Sequence, residues 1–133
     1  MSNNLATVQK MYACFAQGDV PGILACFSPN VVLHGGGDPA LVPFAGIFNG
    51  TDGAIRFFTN IGTTVQTTNF VASNYQDQGG KIINDVLHEG MVTATGKKFS
   101  AHLVFTWEFN DAGLASNWIG GGDYSSVNEA FKQ

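Results

Sequence analysis

Three side chains of this sequence are candidates for acid–base chemistry: His34, His88 and Asp123. Imidazole titrates near neutral pH, so either histidine can take up or release a proton during a reaction. The carboxylate of Asp123 can act as the partner in such a transfer. Each residue also has a structural interpretation: His34 beside a glycine-rich loop, His88 packed across strands, and Asp123 forming a turn at a strand end. The sequence leaves both interpretations open for all three.

Metal, phosphate and serine-hydrolase sites have no motif in the sequence. His34, His88 and His102 lack the HxH or HxxxH spacing of metal ligands, and no cysteine is close to them. The two GGGD segments are not followed by the Lys and Ser/Thr of a phosphate-binding loop, and GxSxG does not occur. We therefore expect no metal and no cofactor.

The segment from Lys98 to Phe109 carries the largest side chains that would surround such a site. It alternates large apolar residues with small or polar ones, which predicts a strand with one apolar face, formed by Phe99, Leu103, Phe105, Trp107 and Phe109. Asn110 to Gly113 supplies a turn, and Leu114 to Ile119 predicts the returning strand. By the same alternation His88 and Trp118 face inward, whereas His102 and Glu108 face outward.

Helices that cover this apolar face are predicted in the first half of the chain. Residues 4 to 17 repeat apolar side chains at helical spacing and stop at Gly18. Asp19 is a predicted N-cap for a second helix that continues to Phe27, followed by a short strand over residues 31 to 33. Residues 35 to 50 predict a loop that packs over the domain. Thr51 is the predicted N-cap of a third helix, with Ile55, Phe58 and Ile61 on its apolar face.

The order of elements predicts an α+β fold in one domain, residues 1 to 133. Three helices and one strand come first, about four antiparallel strands from Thr67 onward come next, and a tail from Ser125 is helical. A net charge of −4 and scattered basic residues argue against nucleic acid and against anionic membranes as partners. No apolar run reaches the ~20 residues that span a bilayer. With no secretory signal, and with Cys14 and Cys26 interpreted as free thiols, we expect a cytoplasmic protein.

Three segments resemble the SnoaL-like and ketosteroid-isomerase-like branch of the nuclear transport factor 2-like superfamily. They are VQKMYACFAQGDVPGILACFSPNVVLHGGG, LVPFAGIFNGTDGAIRFF and ATGKKFSAHLVFTWEFNDAGL, and Asp123 stands where many members carry an Asp. The resemblance implies a cone-shaped, curved antiparallel sheet with three N-terminal helices packed on its concave face. It also implies an apolar pocket for a small hydrophobic ligand and a homodimer through the convex sheet face.

The resemblance does not extend to the chemistry of the ketosteroid isomerases. That reaction needs a carboxylate base and an oxyanion hole made by a Tyr hydroxyl and a protonated Asp. Aligned without gaps, Met11 stands at the Tyr position, Gly35 at the base, and Phe105 at the oxyanion Asp. All three functional groups are missing. We therefore expect a different mechanism.

Three hypotheses for function follow from the sequence. The first is a cofactor-free acid–base enzyme of the isomerase, cyclase or hydrolase type, acting on a hydrophobic substrate of the cyclic or polyketide-derived kind, with His34, Asp123 or His88 moving the proton. The others are a non-catalytic binder of an apolar ligand and a dimeric interaction module. The predicted substrate-binding residues come from the helices and the hairpin: Met11, Tyr12, Phe15, Phe58, Phe105, Trp107 and Trp118. Tyr12 and Trp118 each have an alternative role in core packing.

Overall fold

The computed structural model describes residues 3–133, which form four helices and six strands. In chain order these are α1 (Asn4–Ala16), α2 (Val20–Leu24), β1 (Phe27–Gly35), β2 (Gly46–Asn49), α3 (Gly50–Thr64), β3 (Val65–Asp77), β4 (Lys81–Val92), β5 (Lys98–Phe109), β6 (Ala115–Gly122) and α4 (Ser125–Phe131). None of these helices is long and apolar enough to cross a membrane.

The six strands form one curved sheet in the order β2-β1-β6-β5-β4-β3. Every neighbouring pair is antiparallel except β1 and β6, which are parallel. Register shifts interrupt the β1–β6, β3–β4 and β5–β6 ladders, and such irregularities bend the strands that contain them. The α+β prediction, with helices on the concave face of a curved sheet, is confirmed. The correction is the parallel pair, because the sheet was expected to be wholly antiparallel.

Strands β4 and β5 turn alternate residues towards the helices, as the sequence predicts. Phe99, Leu103, Phe105 and Trp107 are all less than a tenth exposed, and His102 lies on the outer face. On β4 the inward row consists of Ile82, Asn84, Val86 and His88. Each large apolar side chain buried in this way stabilises the fold by about 1.5–3 kcal/mol. The concave face of the sheet is therefore an almost continuous apolar surface.

The first half of the chain differs from the prediction in two strands. β1 begins at Phe27, which was expected to end the second helix, because Phe27 is buried and pairs with Ala115 of β6. The segment expected to be a loop contains β2, which pairs with β1 from Val32 to Gly35. The predicted cap of α2 is confirmed, since the Asp19 carboxylate accepts a hydrogen bond from Gly22 N over 2.9 Å.

Helix α3 begins earlier than predicted, and one of the three residues predicted for its apolar face is exposed. Asn49, not Thr51, is its N-cap residue. Ile55 was expected on the buried face but is 43% exposed. The predicted Phe58 and Ile61 do line the cavity, and the helix also buries Gly53, Ala54 and Phe57. A side chain at Gly53 would stand 2.9 Å from the backbone of Phe48. Because Ile55 follows the buried Ala54 directly, the helical rotation of about 100° per residue turns its side chain away from the core.

Candidate functional site

A cavity of about 80 Å³ lies between the helices and the concave face of the sheet. Its wall is made mostly of aromatic and aliphatic side chains, and the polar side-chain groups in it come from Tyr12, His88, Trp107, Trp118 and Tyr124. None of the residues that line it is Lys, Arg, Asp or Glu. The full lining is Met11, Tyr12, Phe15, Ile23, Leu33, Gly35, Gly36, Phe44, Phe57, Phe58, Ile61, Phe70, His88, Leu103, Phe105, Trp107, Trp118 and Tyr124.

All seven predicted substrate-binding residues lie in this wall: Met11, Tyr12, Phe15, Phe58, Phe105, Trp107 and Trp118. Four further aromatic residues, Phe44, Phe57, Phe70 and Tyr124, were not predicted to be there. Phe57 is next to Phe58 on α3. Phe44 packs edge-on against Phe57, and their ring centroids are 6.4 Å apart. Sequence signals exist for Phe70, which follows the strand alternation of β3, and for Phe57, which stands four residues before Ile61 on α3.

His88 is the candidate catalytic residue that the structure places in the cavity wall. It is 8% exposed, and its ring is surrounded by Phe15, Phe70 and Phe99, with centroids 5.2 to 6.4 Å away. Burial penalises the charged imidazolium and lowers the pKa of His88 to about 4. The ring is therefore neutral at pH 7 and can accept a proton.

The hydroxyl of Thr67 holds the His88 ring from one side. Its Oγ1 lies 2.9 Å from Nε2 of His88, and the direction of this hydrogen bond depends on the imidazole tautomer. Within residues 3–133, the Nδ1 atom of His88 has no hydrogen-bond partner. When Nε2–H donates to Thr67, Nδ1 is a free acceptor, which is the form that a general base requires.

His34 lies on the opposite face of the sheet from the cavity. Its neighbours Leu33 and Gly35 line the cavity, so the alternation along β1 turns His34 towards the convex face. There Nε2 lies 3.1 Å from the Asn117 amide oxygen, and the Asn117 amide donates to Glu108 over 2.7 Å. The structure therefore does not bring His34 into the cavity, where it was expected to act.

Asp123 is also outside the cavity. Its carboxylate accepts hydrogen bonds from the hydroxyl and the backbone N–H of Ser125, over 2.7 and 2.9 Å. These bonds hold the pKa of Asp123 below its usual value, so the group is ionised and exposed at the start of α4. This geometry fits the turn-forming interpretation. In the part of the chain that the structure describes, no three His, Cys, Asp or Glu side chains are placed to hold a metal ion.

The Tyr12 hydroxyl is fully engaged by protein groups, although its ring lines the cavity. It donates to Asn84 Oδ1 over 2.7 Å and accepts from Trp107 Nε1 over 2.9 Å. Burial raises the pKa of Tyr12, so it stays a neutral phenol. Asn84, only 1% exposed, was not predicted from the sequence, although it shares the inward alternation of Ile82 and Val86.

Trp118 contributes a buried donor with no acceptor. The residue is 5% exposed and packs edge-on against Phe105 and Phe57, with ring centroids 4.9 and 5.2 Å away. Over residues 3–133, its Nε1 is the one buried side-chain nitrogen or oxygen without a hydrogen-bond partner. An unsatisfied buried donor costs about 1–3 kcal/mol, so native proteins rarely leave one.

Tyr124 and Gly36 line the cavity, and Gly120 packs against both Tyr124 and Trp118. A Cβ atom at Gly120 would stand 2.8 Å from the Tyr124 hydroxyl and 2.7 Å from Cη2 of Trp118. A Cβ atom at Gly36 would stand 2.1 Å from the Tyr124 ring. Burial raises the pKa of Tyr124, so its hydroxyl is protonated and able to donate. Tyr124 follows the last strand, where no sequence periodicity indicates it.

Comparisons with known proteins agree with this fold. A sequence model of the SnoaL-like domain matches residues 8–117. A nuclear transport factor 2-like protein of unknown function from Burkholderia pseudomallei is 22% identical, with a TM-score of 0.89 and full coverage of both chains. The protein TerC, crystallised with polyporic acid, is 20% identical over 99% of this chain and 100% of its own, with a TM-score of 0.86.

A third similar structure is a protein from Mycobacterium tuberculosis in complex with estradiol-17β-hemisuccinate. It is 20% identical, covers 95% of this chain and 98% of its own, and has a TM-score of 0.73. No curated protein sequence matches this chain. At these identities the structural matches establish the fold and leave the ligand open.

Proposed function

Because the chain belongs to the SnoaL-like family, we propose that it binds a small apolar ring compound in the cavity and moves a proton on it. His88 is the acid–base residue of this proposal. The supporting observation is a neutral imidazole, with a pKa lowered to about 4, in a cavity wall that has no charged side chain. No cofactor takes part in the proposed step.

The surroundings of His88 favour a reaction that returns the proton to the same ligand. When Nδ1 takes a proton from the ligand, an imidazolium forms among Phe15, Phe70 and Phe99, where its charge is costly. No carboxylate in the wall stabilises that charge. Returning the proton to another atom of the same ligand removes this charge from the cavity. Isomerisation and cyclisation have this form.

The aromatic wall would hold the ligand by apolar contact. Phe105, Trp107 and Trp118 on the sheet and Met11, Phe15 and Phe58 on the helices provide this surface, and the ring of Tyr12 adds to it. A volume of about 80 Å³ is below the roughly 300–1,000 Å³ of sites for drug-sized ligands, so some side chains have to move to admit more than one ring. The ligands of TerC and of the mycobacterial protein support a small organic ligand here.

Deuterium incorporation from D2O tests the proton transfer without knowledge of the natural reaction. The full-length protein is incubated with a panel of one-ring and two-ring ketones and phenols, and mass spectrometry measures carbon-bound deuterium. We expect protein-dependent exchange in at least one compound and its loss in His88→Gln. His34→Gln and His102→Gln are matched controls that remove imidazoles outside the cavity.

Two outcomes would contradict parts of this proposal. A compound that binds, as measured by calorimetry, but never exchanges would favour the non-catalytic binder. Exchange that survives in His88→Gln and disappears in His34→Gln would contradict the assignment of the proton-transfer residue.

We also propose that the convex sheet face forms a homodimer interface. Four large apolar residues on this face are 41% to 64% exposed: Ile47, Val71, Val104 and Ile119. Ile119 lies opposite Thr106, two residues from Val104, so their side chains are diagonal neighbours. Gly121, opposite Val104, leaves room for a partner side chain. A second copy of this face would cover the exposed apolar area.

A further inference from the structure

We infer that the ligand carries a neutral hydrogen-bond-accepting oxygen, of the carbonyl class, which Trp118 N–H and Tyr124 O–H bind at one end of the cavity. This inference rests on the proposed function, because it specifies the ligand of the same cavity. It concerns two donors that no step of the proposed proton transfer uses.

The first observation is the unpartnered N–H of Trp118. Its indole is 5% exposed and lines the cavity, and Nε1 has no acceptor anywhere in residues 3–133. Trp107, on the neighbouring strand β5, provides a comparison, because its Nε1 donates a hydrogen bond to the Tyr12 hydroxyl over 2.9 Å. Of the two tryptophans of the chain, the indole N–H of Trp107 has an acceptor within the protein and the indole N–H of Trp118 has none within residues 3–133.

The second observation is the convergence of the Tyr124 hydroxyl on the same place. The position of a Cβ atom at Gly120 lies 2.8 Å from the Tyr124 hydroxyl, 2.7 Å from Trp118 Cη2 and 2.9 Å from Trp118 Cζ2. Both carbons belong to the benzene ring of the indole, and Cζ2 is bonded to the carbon that carries Nε1. Gly120 has no side chain between the Tyr124 hydroxyl and the benzene ring of Trp118, and both residues line the same cavity.

The lack of charged side chains in the cavity wall indicates that the ligand oxygen is neutral. No Lys, Arg or histidinium lies in the wall, so a buried carboxylate would stay without a counter-ion. Burial raises the pKa of Tyr124, which keeps the phenol a donor at neutral pH. Two neutral donors fit a ketone, quinone or lactone oxygen, which accepts hydrogen bonds without carrying a full charge.

The acceptor site and His88 lie at different ends of the cavity. His88 pairs with Ala101 near the beginning of β5, and Trp118 pairs with Trp107 near its end. A ligand that reaches both therefore has its accepting oxygen at the end remote from the position where the proton moves. This points to an elongated ring compound of about two rings with one oxygenated end.

A matched pair of probes tests the inference. The probes are 1-tetralone and tetralin, which share a two-ring skeleton and differ in the carbonyl oxygen. Their affinities are measured by calorimetry for the wild-type protein and for a protein with Trp118 replaced by 3-benzothienylalanine, in which sulfur takes the place of N–H. We expect the 1-tetralone affinity to fall roughly 3- to 10-fold and the tetralin affinity to stay unchanged. Tyr124→Phe should give the same selective loss.

The wild-type protein gives a second readout that needs no variant to fold. Its two indole N–H groups give two signals in a proton–nitrogen NMR spectrum. We expect 1-tetralone to move the Trp118 indole proton downfield, tetralin to leave it in place, and the hydrogen-bonded Trp107 proton to serve as the internal reference.

The outcomes separate this inference from the proposed function. If both probes bind, the sulfur replacement weakens neither, and the Trp118 proton does not shift, the inference is overturned. The apolar cavity then still binds its ligand, and the proposed function stands. If neither probe binds, the result counts against both.

Discussion

The Tyr12 hydroxyl and the Asn84 amide oxygen lie 2.7 Å apart, so a hydrogen bond joins helix α1 to the central part of β4 beneath the cavity. Trp107 Nε1 completes the group by donating to the same hydroxyl over 2.9 Å. A phenol at this place resembles a catalytic group, but both of these hydrogen bonds are made within the protein. The geometry of the Tyr12 hydroxyl therefore favours a structural role, in which it keeps the cavity wall in position.

Tyr12→Phe should destabilise the protein by about 1–3 kcal/mol. The change leaves the Asn84 amide oxygen and the Trp107 N–H buried without a partner, and that penalty exceeds the value of one ordinary hydrogen bond. Urea unfolding at pH 7 measures the free energy of unfolding. Tyr75→Phe is the control, because Tyr75 is only partly buried. Equal stability of the two variants would show that the Tyr12 network contributes little.

The free energy of unfolding should fall as the pH drops from about 6.5 to about 4, because His88 binds a proton more readily in the unfolded chain than in the folded protein. The unfolded chain binds a proton at this residue below its ordinary pKa of 6.5, whereas the folded protein binds it only near pH 4. Between these values the unfolded state holds more protons, so the free energy of unfolding rises with pH and is constant above 6.5. The shift corresponds to roughly 3 kcal/mol.

Urea unfolding at pH 7, 5.5 and 4.5 measures this dependence. His88→Gln should have a flatter profile than the wild type, because the titrating group is gone. His102→Gln is the control, since His102 is exposed on the outer face. If His88→Gln keeps the full wild-type slope, another group causes the pH dependence and the proposed lowering of the His88 pKa is wrong.

Strand alternation is the part of the site that the sequence could predict. The period of β5 is long and regular, so it places Phe105 and Trp107 correctly, and the same rule turns His88 inward. The early strand was predicted over three residues only, which is too short to decide which way His34 points. The pairing of β1 with β2 and β6 fixes that direction, and these contacts are distant in sequence.

The sequence could not predict where two segments of backbone that are distant in sequence come into close contact. The glycines after His34 look like a flexible loop, yet Gly35 ends β1 and has Phe44 packed against its Cα. Asn84 and Tyr124 were missed for a similar reason, because their roles depend on partners such as Tyr12 and Gly120 that only the tertiary fold brings near. Local pattern therefore predicted the wall of the cavity better than its polar groups.

A charge on the convex face should separate the proposed dimer. Val104→Glu places a carboxylate in the middle of the exposed apolar face, where a dimer would bury it without a partner. Sedimentation velocity should show at least a tenfold weaker dimer. Ile55→Glu is the matched control, because Ile55 on α3 is exposed to nearly the same extent, 43% against 41% for Val104. A wild-type protein that sediments as a monomer at high concentration would contradict the interface.

Two Gly→Ala changes should have opposite effects on stability. At Gly35 an added Cβ would stand 2.0 Å from the Phe44 carbonyl oxygen, a backbone atom that cannot move away freely, so Gly35→Ala should cost about 1–3 kcal/mol. At Gly62, in α3, nothing lies within 4 Å, and alanine should stabilise the helix by about 0.5–1 kcal/mol. Thermal unfolding compares both with the wild type. A neutral Gly35→Ala would mean that β1 and Phe44 are not packed this closely, and the cavity wall at Gly35 would then be wider than described.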